Sequence, residues 1–303
     1  MFRKKLLPLV AVVLCLSITH VNAQAKNDLR EALKEVLADK NATVGIAISR
    51  VDGTDTLSIQ GDGHFPMQSV FKFHIALVML DAVDQGKFTL DQNIVIPKAR
   101  MQNDLWSPIR EEYPDGVELK LSEIIEYTVA LSDNVGCDVL LELLGGPAQV
   151  EGYLHKKGFN DISIKINEET MQSAWDLQFQ NWTTPKCAIQ VLKAFYNNDN
   201  KLLSSASYDF LLTVMKGTQT GRQQLKGLLP EGTVVAHKTG NSGKNKKTGV
   251  TAALNDIGLV FPPQGQPYSI SVFVSQSKED TKINERIIAE LSKLVWDYYT
   301  KNP

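Results

Sequence analysis

The chain has 303 residues, 43% hydrophobic and 22% charged, enough apolar material for a substantial core in one or two domains. The formal net charge is −2, and the first 23 residues carry Arg3, Lys4 and Lys5 with no acid, so the remainder stands near −5. This mild acidity argues against a nucleic-acid partner or an anionic membrane surface, and no later stretch is long and apolar enough to span a bilayer.

The N-terminus reads as a secretory signal. Arg3, Lys4 and Lys5 form a basic start, Leu6 to Ile18 an apolar run, and Val21-Asn22-Ala23 a small-residue approach to a cut ahead of Gln24. The alternative is a membrane anchor, for which the apolar run is short. A lipoprotein reading of Cys15 fails at Leu14, where a small residue is required. Cleavage leaves Cys137 and Cys187, which could pair in an oxidising compartment. Cys137 sits in an apolar helical pattern with Val135, Val139 and Leu140, so two free buried thiols are expected.

After the signal, an amphipathic helix is predicted through Leu29, Leu33, Val36 and Leu37, with Asp28 and Glu31 as a capping box. A hairpin follows: Thr43 to Ser49, a turn at Asp52-Gly53, then Thr54 to Gln60. The middle of the chain is helical. One helix runs from about Ser69 to Gln85 and stops at Gly86. Others follow Ser122, span about Asn134 to Leu144, and run from Pro147 to Gly158. Two more begin at Thr184-Pro185 and Ser207. Strands return at Thr233–Thr239, Thr251–Phe261 and Tyr268–Val274, before a closing helix from Asn284 to Tyr299.

Two strands at the front and three at the back predict an α/β (α+β type) fold. One five-stranded antiparallel sheet is built from residues 24–64 and 217–303, flanked by the terminal helices. Residues 65–216 form an inserted all-helical domain. Clefts between such domains favour small-molecule chemistry.

Four short elements carry the chemistry. In Ser69-Val70-Phe71-Lys72 a serine at a helix start has a lysine one turn away on the same face, placed to take the hydroxyl proton. Ser-x-x-Lys is weak alone: Ser275 to Lys278 is a second match, on the polar segment before the last helix. Ser132-Asp133-Asn134 opens a helix and, in isolation, reads as an N-cap. Lys238-Thr239-Gly240 lies on a strand, where the glycine permits close backbone approach by a ligand or helix. Glu168-Glu169 falls in a long polar loop, about Asn167 to Asn181, of a kind that is often functional. The histidines are isolated and lack metal-ligand spacing; His74 reads as packing, and His237 should face away from Lys238. No metal or cofactor is expected.

In this order the four elements resemble the class A serine β-lactamases. Phe65-Pro66-Met67-Gln68 and Asn181-Trp182 are similar to the PER/VEB extended-spectrum branch. The resemblance spans nearly all of the chain after the signal and implies a β-lactamase/transpeptidase-like fold. It implies a periplasmic monomer that hydrolyses penicillins and cephalosporins, extended-spectrum ones included, and confers resistance. The alternatives are a penicillin-binding D,D-peptidase or a β-lactam sensor domain, which lack a deacylating glutamate.

The implied roles follow residue by residue. Ser69 is the nucleophile; Lys72, or Glu168 through a water, takes its proton. The backbone N–H groups of Ser69 and Asn241 form the oxyanion hole. Ser132 relays a proton to the lactam nitrogen, and Asn134 binds the substrate's side-chain amide. Lys238, Thr239 and Gly240 form the strand that holds the substrate carboxylate, and Glu168 activates the deacylating water. Trp106 is either a cleft wall or a partly buried loop aromatic.

Four positions depart from the family pattern. Gln172 stands where a shorter Asn or His is usual. Ile166 and Asn181 replace an Arg–Asp pair that pins the loop, which predicts a differently folded loop and a wider cleft. Asn241 replaces Ser, Thr or Ala. Gln224 occupies the place of a carboxylate-supporting Arg, leaving Arg222, Lys246 or Lys247 as substitutes.

Overall fold

The computed structural model describes residues 24–102 and 104–301. The export signal read from residues 1–23 lies outside them. Residues 24–37 are helical (α1). There follow β1 (Thr43–Arg50), β2 (Leu57–Ile59), β3 (Phe65–Pro66), α2 (Phe71–Asp84), β4 (Asn93–Pro97), α3 (Pro108–Glu112), β5 (Gly116–Lys120), α4 (Leu121–Ala130), α5 (Asn134–Leu143) and α6 (Pro147–Lys156). The remainder comprises β6 (Ile162–Ser163), α7 (Glu168–Ser173), β7 (Trp182–Thr183), α8 (Pro185–Asn197), α9 (Ser205–Lys216), β8 (Val234–Asn241), β9 (Thr251–Phe261), β10 (Tyr268–Ser277) and α10 (Thr281–Lys301).

Five strands form one sheet in the order β2-β1-β10-β9-β8, each neighbouring pair antiparallel. Both chain ends therefore contribute, as the strand count predicted. Side chains alternate between its faces. Ile270, Val272 and Val274 of β10 pack with Ile46 and Ile48 of β1, Leu33 of α1, and Ile287, Leu291 and Val295 of α10. Phe273 points the other way, into a core shared with Ile257, Leu259 and Leu192 of α8. With helices on both faces, β9 is buried along nearly its whole length.

The second core surrounds α2. Every residue from Phe71 to Leu80 is buried, the behaviour of a helix that is apolar all round. Lys72 and His74 are the polar exceptions. Burial pulls the His74 pKa down to about 4, so it is a neutral packing residue. Cys137 and Cys187 are buried, free thiols.

Several local expectations are corrected. Asp28 does not cap α1: helical backbone already covers residues 24–27, and Asp28 accepts from Gln24 Nε2 at 2.7 Å. Lys26 anchors that extra turn to Asp55 at 2.7 Å. The second hairpin strand is short, because Asp52 accepts from both the Thr54 N–H and Oγ1, and Asp55 and Gln60 take positive φ. The Ser275 of the rival Ser-x-x-Lys belongs to β10 and donates to the Ala252 carbonyl at 2.7 Å, so it is a buried strand residue. The segment expected to be all helical also holds two small sheets, β3-β7-β6, whose two-residue strands leave no period, and the five-residue pair β4-β5.

Candidate active site

Ser69 sits on a 3₁₀ turn, Gln68–Val70, that leads into α2. The α-helix itself begins two residues later than the spacing suggested. Gln68 takes φ 47° and its amide donates to Gln178 Oε1 at 2.7 Å, which ties the turn to the loop beneath. β8 presses on the other side of this turn. A Cβ on Gly240 would strike the Met67 carbonyl and lie 3.1 Å from Gln68 Cβ. Glycine is needed there so that strand and turn can meet.

Lys72 lies one turn on, fully buried. Its ammonium donates to Ser69 Oγ at 2.7 Å and to Asn134 Oδ1 at 2.7 Å, and makes a short contact with Glu168 Oε1. Ser69 Oγ stands 3.5 Å from the same carboxylate oxygen. Serine, lysine and glutamate therefore form one connected cluster.

Ser132 and Asn134 flank the start of α5. Asp133 between them is the N-cap: its carboxylate accepts from Gly136 N at 2.7 Å, and from Ile109 N and Ser107 Oγ at 2.8 Å each. The capping and functional readings of this tripeptide thus divide by residue. Ser132 is held at φ 62°, uncommon for a non-glycine residue. That turn aims its hydroxyl at Lys238 Nζ, 2.9 Å away.

Lys238 also donates to the Thr239 carbonyl at 3.0 Å. An ammonium carries three donors, so one remains for an incoming group. Burial, reinforced by the charge of Lys72, pulls the Lys238 pKa down to about 7. His237 faces elsewhere, as alternation requires, with Nδ1 2.9 Å from Asp256 Oδ1. Thr239 Oγ1 meets Thr220 Oγ1 at 2.6 Å.

The polar loop is neither loose nor structureless. It contains α7 and a 3₁₀ segment, Trp175–Gln180. Asn167 caps α7 through Thr170 N at 3.1 Å. Asp138, one turn along α5 from Asn134, accepts from the Glu168 N–H at 2.7 Å and the Glu169 N–H at 3.0 Å. Asn181 Oδ1 accepts from Lys165 N at 2.8 Å and Ile166 N at 3.1 Å, while its amide donates back to the Ile166 carbonyl at 2.8 Å. In place of the Arg–Asp pair, an amide clamp from Asn181 ties the two ends of the loop. Gln172 Nε2 reaches Glu168 Oε2 at 3.4 Å.

These groups open onto a cleft of about 570 Å³. Ser69, Ser132, Asn134, Thr239, Gly240, Asn241 and Gln172 line it, while Lys72, Lys238 and Glu168 lie just beneath. Trp106, 58% exposed, is a wall of the cleft. Asn241 turns its side-chain oxygen onto Gly243 N at 2.8 Å. Arg222, Lys246 and Lys247 do not line the cleft; Gln224 does, and is buried. Sequence reasoning missed Asp138, Gln178, Thr220 and Glu285. Only Asp138 left a signal, the i, i+4 spacing from Asn134. Among the described residues no group of three or more His, Cys, Asp or Glu could hold a metal ion.

A hydroxyl bonded to a buried lysine, beside a buried carboxylate and a second lysine with a free donor, is an arrangement suited to serine acyl transfer on an anionic substrate. The profile of the β-lactamase enzyme family matches residues 28–299, and the chain belongs to that family. It is 48% identical to β-lactamase VEB-1 of Pseudomonas aeruginosa over 96% of each chain. Identity to the extended-spectrum β-lactamase PER-1 of the same organism is 39%, over 96% of this chain and 94% of that one. Among solved structures, a β-lactamase from Chitinophaga pinensis superposes with a TM-score of 0.86 at 47% identity, covering 90% of this chain and 99% of the other. The TLA-1 extended-spectrum β-lactamase gives 0.88 at 46%, covering 91% and 99%.

Proposed function

We propose that this enzyme hydrolyses the lactam amide of penicillins and cephalosporins, extended-spectrum ones included, through an ester on Ser69. The observation that carries the mechanism is the continuous Ser69–Lys72–Glu168 cluster. Ser69 Oγ attacks the lactam carbonyl: Lys72 first passes a proton to the Glu168 carboxylate it touches, and the neutral amine then takes the serine proton. The N–H groups of Ser69 and Asn241 receive the oxyanion, and Gly240 lets β8 approach closely enough to supply the second. The ring C–N bond then breaks. Ser132 already accepts from Lys238, so its own hydrogen is left to donate to the departing nitrogen; the proton that Lys72 took from Ser69 replaces it, and Glu168 returns its proton to Lys72 and is again a carboxylate for deacylation. The spare donor of Lys238, with Thr239, holds the substrate carboxylate.

Deacylation falls to Glu168, buried beside Ser69 and flanked by Gln172. It takes a proton from a water that attacks the ester, releasing the ring-opened acid and the serine hydroxyl. This step separates a β-lactamase from a peptidase or sensor that β-lactams merely acylate. We further propose that the enzyme acts as a periplasmic monomer after removal of residues 1–23. The basic-apolar-small pattern of that segment supports this reading. No helix among the described residues is long and apolar enough to cross a membrane.

The test is turnover. Purified enzyme should open a chromogenic cephalosporin for hundreds of cycles and leave a D-Ala-D-Ala peptide intact. A single stoichiometric burst, or peptidase activity without β-lactam turnover, would sink the proposal.

A further inference from the structure

We propose that the buried His237–Asp256 pair is a positioning unit for substrate binding: from the face of β8 turned away from the cleft, its carboxylate keeps the Lys238 ammonium charged for the substrate carboxylate. The inference rests on the β-lactam reading above and adds to it two residues that do not line the cleft.

Both side chains are wholly buried. His237 Nδ1 lies 2.9 Å from Asp256 Oδ1 and 3.0 Å from Oδ2, and the Leu225 N–H donates to Oδ2 at 3.2 Å. Donors aimed at a carboxylate stabilise its charge. His237 Nε2 is buried without a hydrogen-bond partner among the described residues. An imidazolium would strand its second N–H at that atom, at a cost. The ring is therefore neutral with its hydrogen on Nδ1, and the pair carries one negative charge. The surroundings fix it in place. Gly258 stands opposite His237 across the ladder, and a Cβ there would lie 2.8 Å from His237 Cβ. Thr218 Oγ1 donates to the His237 carbonyl at 2.7 Å, and Ser292 Oγ of α10 donates to the Leu225 carbonyl at 2.9 Å.

A charge at this point acts on Lys238. Asp256 is the ladder partner of Thr239, the next residue along β8. The other titratable groups that act on Lys238 come from the cleft side: Lys72 of α2, Glu168 of α7 and Cys137 of α5. Lys72 and Glu168 touch and offset one another. Burial pushes the Cys137 thiol up, so it carries no charge. On the other side, Lys226 acts on Asp256 from the segment after α9, with Arg222 nearby. Lys226 is half-buried and Arg222 exposed, so solvent screens both. Burial and then Lys72 pull the Lys238 pKa down, and Asp256 is the largest influence the opposite way. Without that carboxylate the ammonium would be lost at lower pH.

The experiment is the pH profile of kcat/KM for benzylpenicillin, whose alkaline limb reports Lys238. Asp256→Asn should move that limb down by about one unit, with a loss that grows as pH rises and falls mainly on KM. Removing one partner of a buried pair strands the other, so His237→Phe combined with Asp256→Leu, which removes both, supplies a second test. The same shift is expected. A limb that stays at its unmodified pH in either variant, whatever happens to Tm, makes the pair merely structural and overturns the proposal. The charge is also checked without any substitution. In enzyme labelled with nitrogen-15 histidine, the His237 ring should keep Nδ1 protonated and Nε2 bare across about pH 6 to 8. An imidazolium there would cancel the Asp256 charge and overturn the proposal. An unmodified enzyme that hydrolyses no β-lactam overturns the hydrolytic reading instead, and the labelled spectrum still decides the charge of the pair.

Discussion

At the scale of single residues, the site works because two lysines are buried for different purposes. Lys72 is saturated: serine, asparagine and glutamate take its donors. Lys238 has a donor to spare and lies within the field of Lys72. Its pKa is lowered to about 7 by burial first and by that like charge second. The sign follows directly. The ammonium that attracts a carboxylate is present below the shifted pKa and lost above it. In the free enzyme, kcat/KM for a carboxylate-bearing β-lactam should therefore fall as pH rises through about 7. Lys238→Arg, which stays charged, should move that alkaline limb upward by more than a unit, at some loss of rate. A pH–rate profile with an unmoved limb would show that another group sets it. The residues of this cluster were legible in sequence because their types are tied to the reaction. The positive φ values of Gln68 and Ser132 were not: such backbone geometry is imposed by packing, here by the Gln178 amide and the Lys238 ammonium.

At the scale of elements, the glutamate is placed by a short helix that the sequence conceals. α7 has six residues, too few for a period to show in the sequence. It holds because α5 offers it an acceptor at one end and Asn181 closes the loop at the other. Asp138→Ala would leave the Glu168 and Glu169 N–H groups without acceptors. We expect it to slow deacylation about tenfold or more and to lower stability by about 1–3 kcal/mol. Stopped-flow acylation should be affected far less than steady-state turnover; equal losses in both would mean that Asp138 only supports the fold. Gly240→Ala is the matching test of the β8 contact. Its methyl would push the Met67 carbonyl and shift the strand that supplies an oxyanion donor. A fall in kcat of about 10²-fold or more is expected, with Tm changed little by comparison. The sheet strands and long helices were readable from periodicity, whereas the helix α1 start and the short β2 were not, because side-chain contacts with Asp55 and Asp52 set them.

At the scale of the molecule, two cores meet at the sheet. One lies between the sheet, α1 and α10; the other surrounds α2 and reaches the opposite sheet face. We propose that residues 24–64 and 217–303 form one folding unit and residues 65–216 the other, with the cleft where they join. Leu291→Ala, in the sheet-and-terminal-helix core, should cost about 2–5 kcal/mol. A calorimetric scan should then show the first unit melting earlier. A single transition shifted as a whole would argue against separable units. Since Cys137 and Cys187 are free, a thiol reductant should leave Tm unchanged. A drop would reveal a disulfide. The pairing of the chain ends was legible from strand count alone.

The proposed division of labour has Ser69 capture the β-lactam and Glu168 release it. It is tested most directly by the intact mass of Glu168→Ala after mixing with benzylpenicillin. Ring opening expels no fragment, so a lasting adduct equal to the whole mass of the drug, located on Ser69 by peptide mapping, is expected. The unmodified enzyme should return to its bare mass within seconds. A variant that shows no adduct and still hydrolyses at the unmodified rate would contradict the role of Glu168. An adduct on any other residue would contradict that of Ser69.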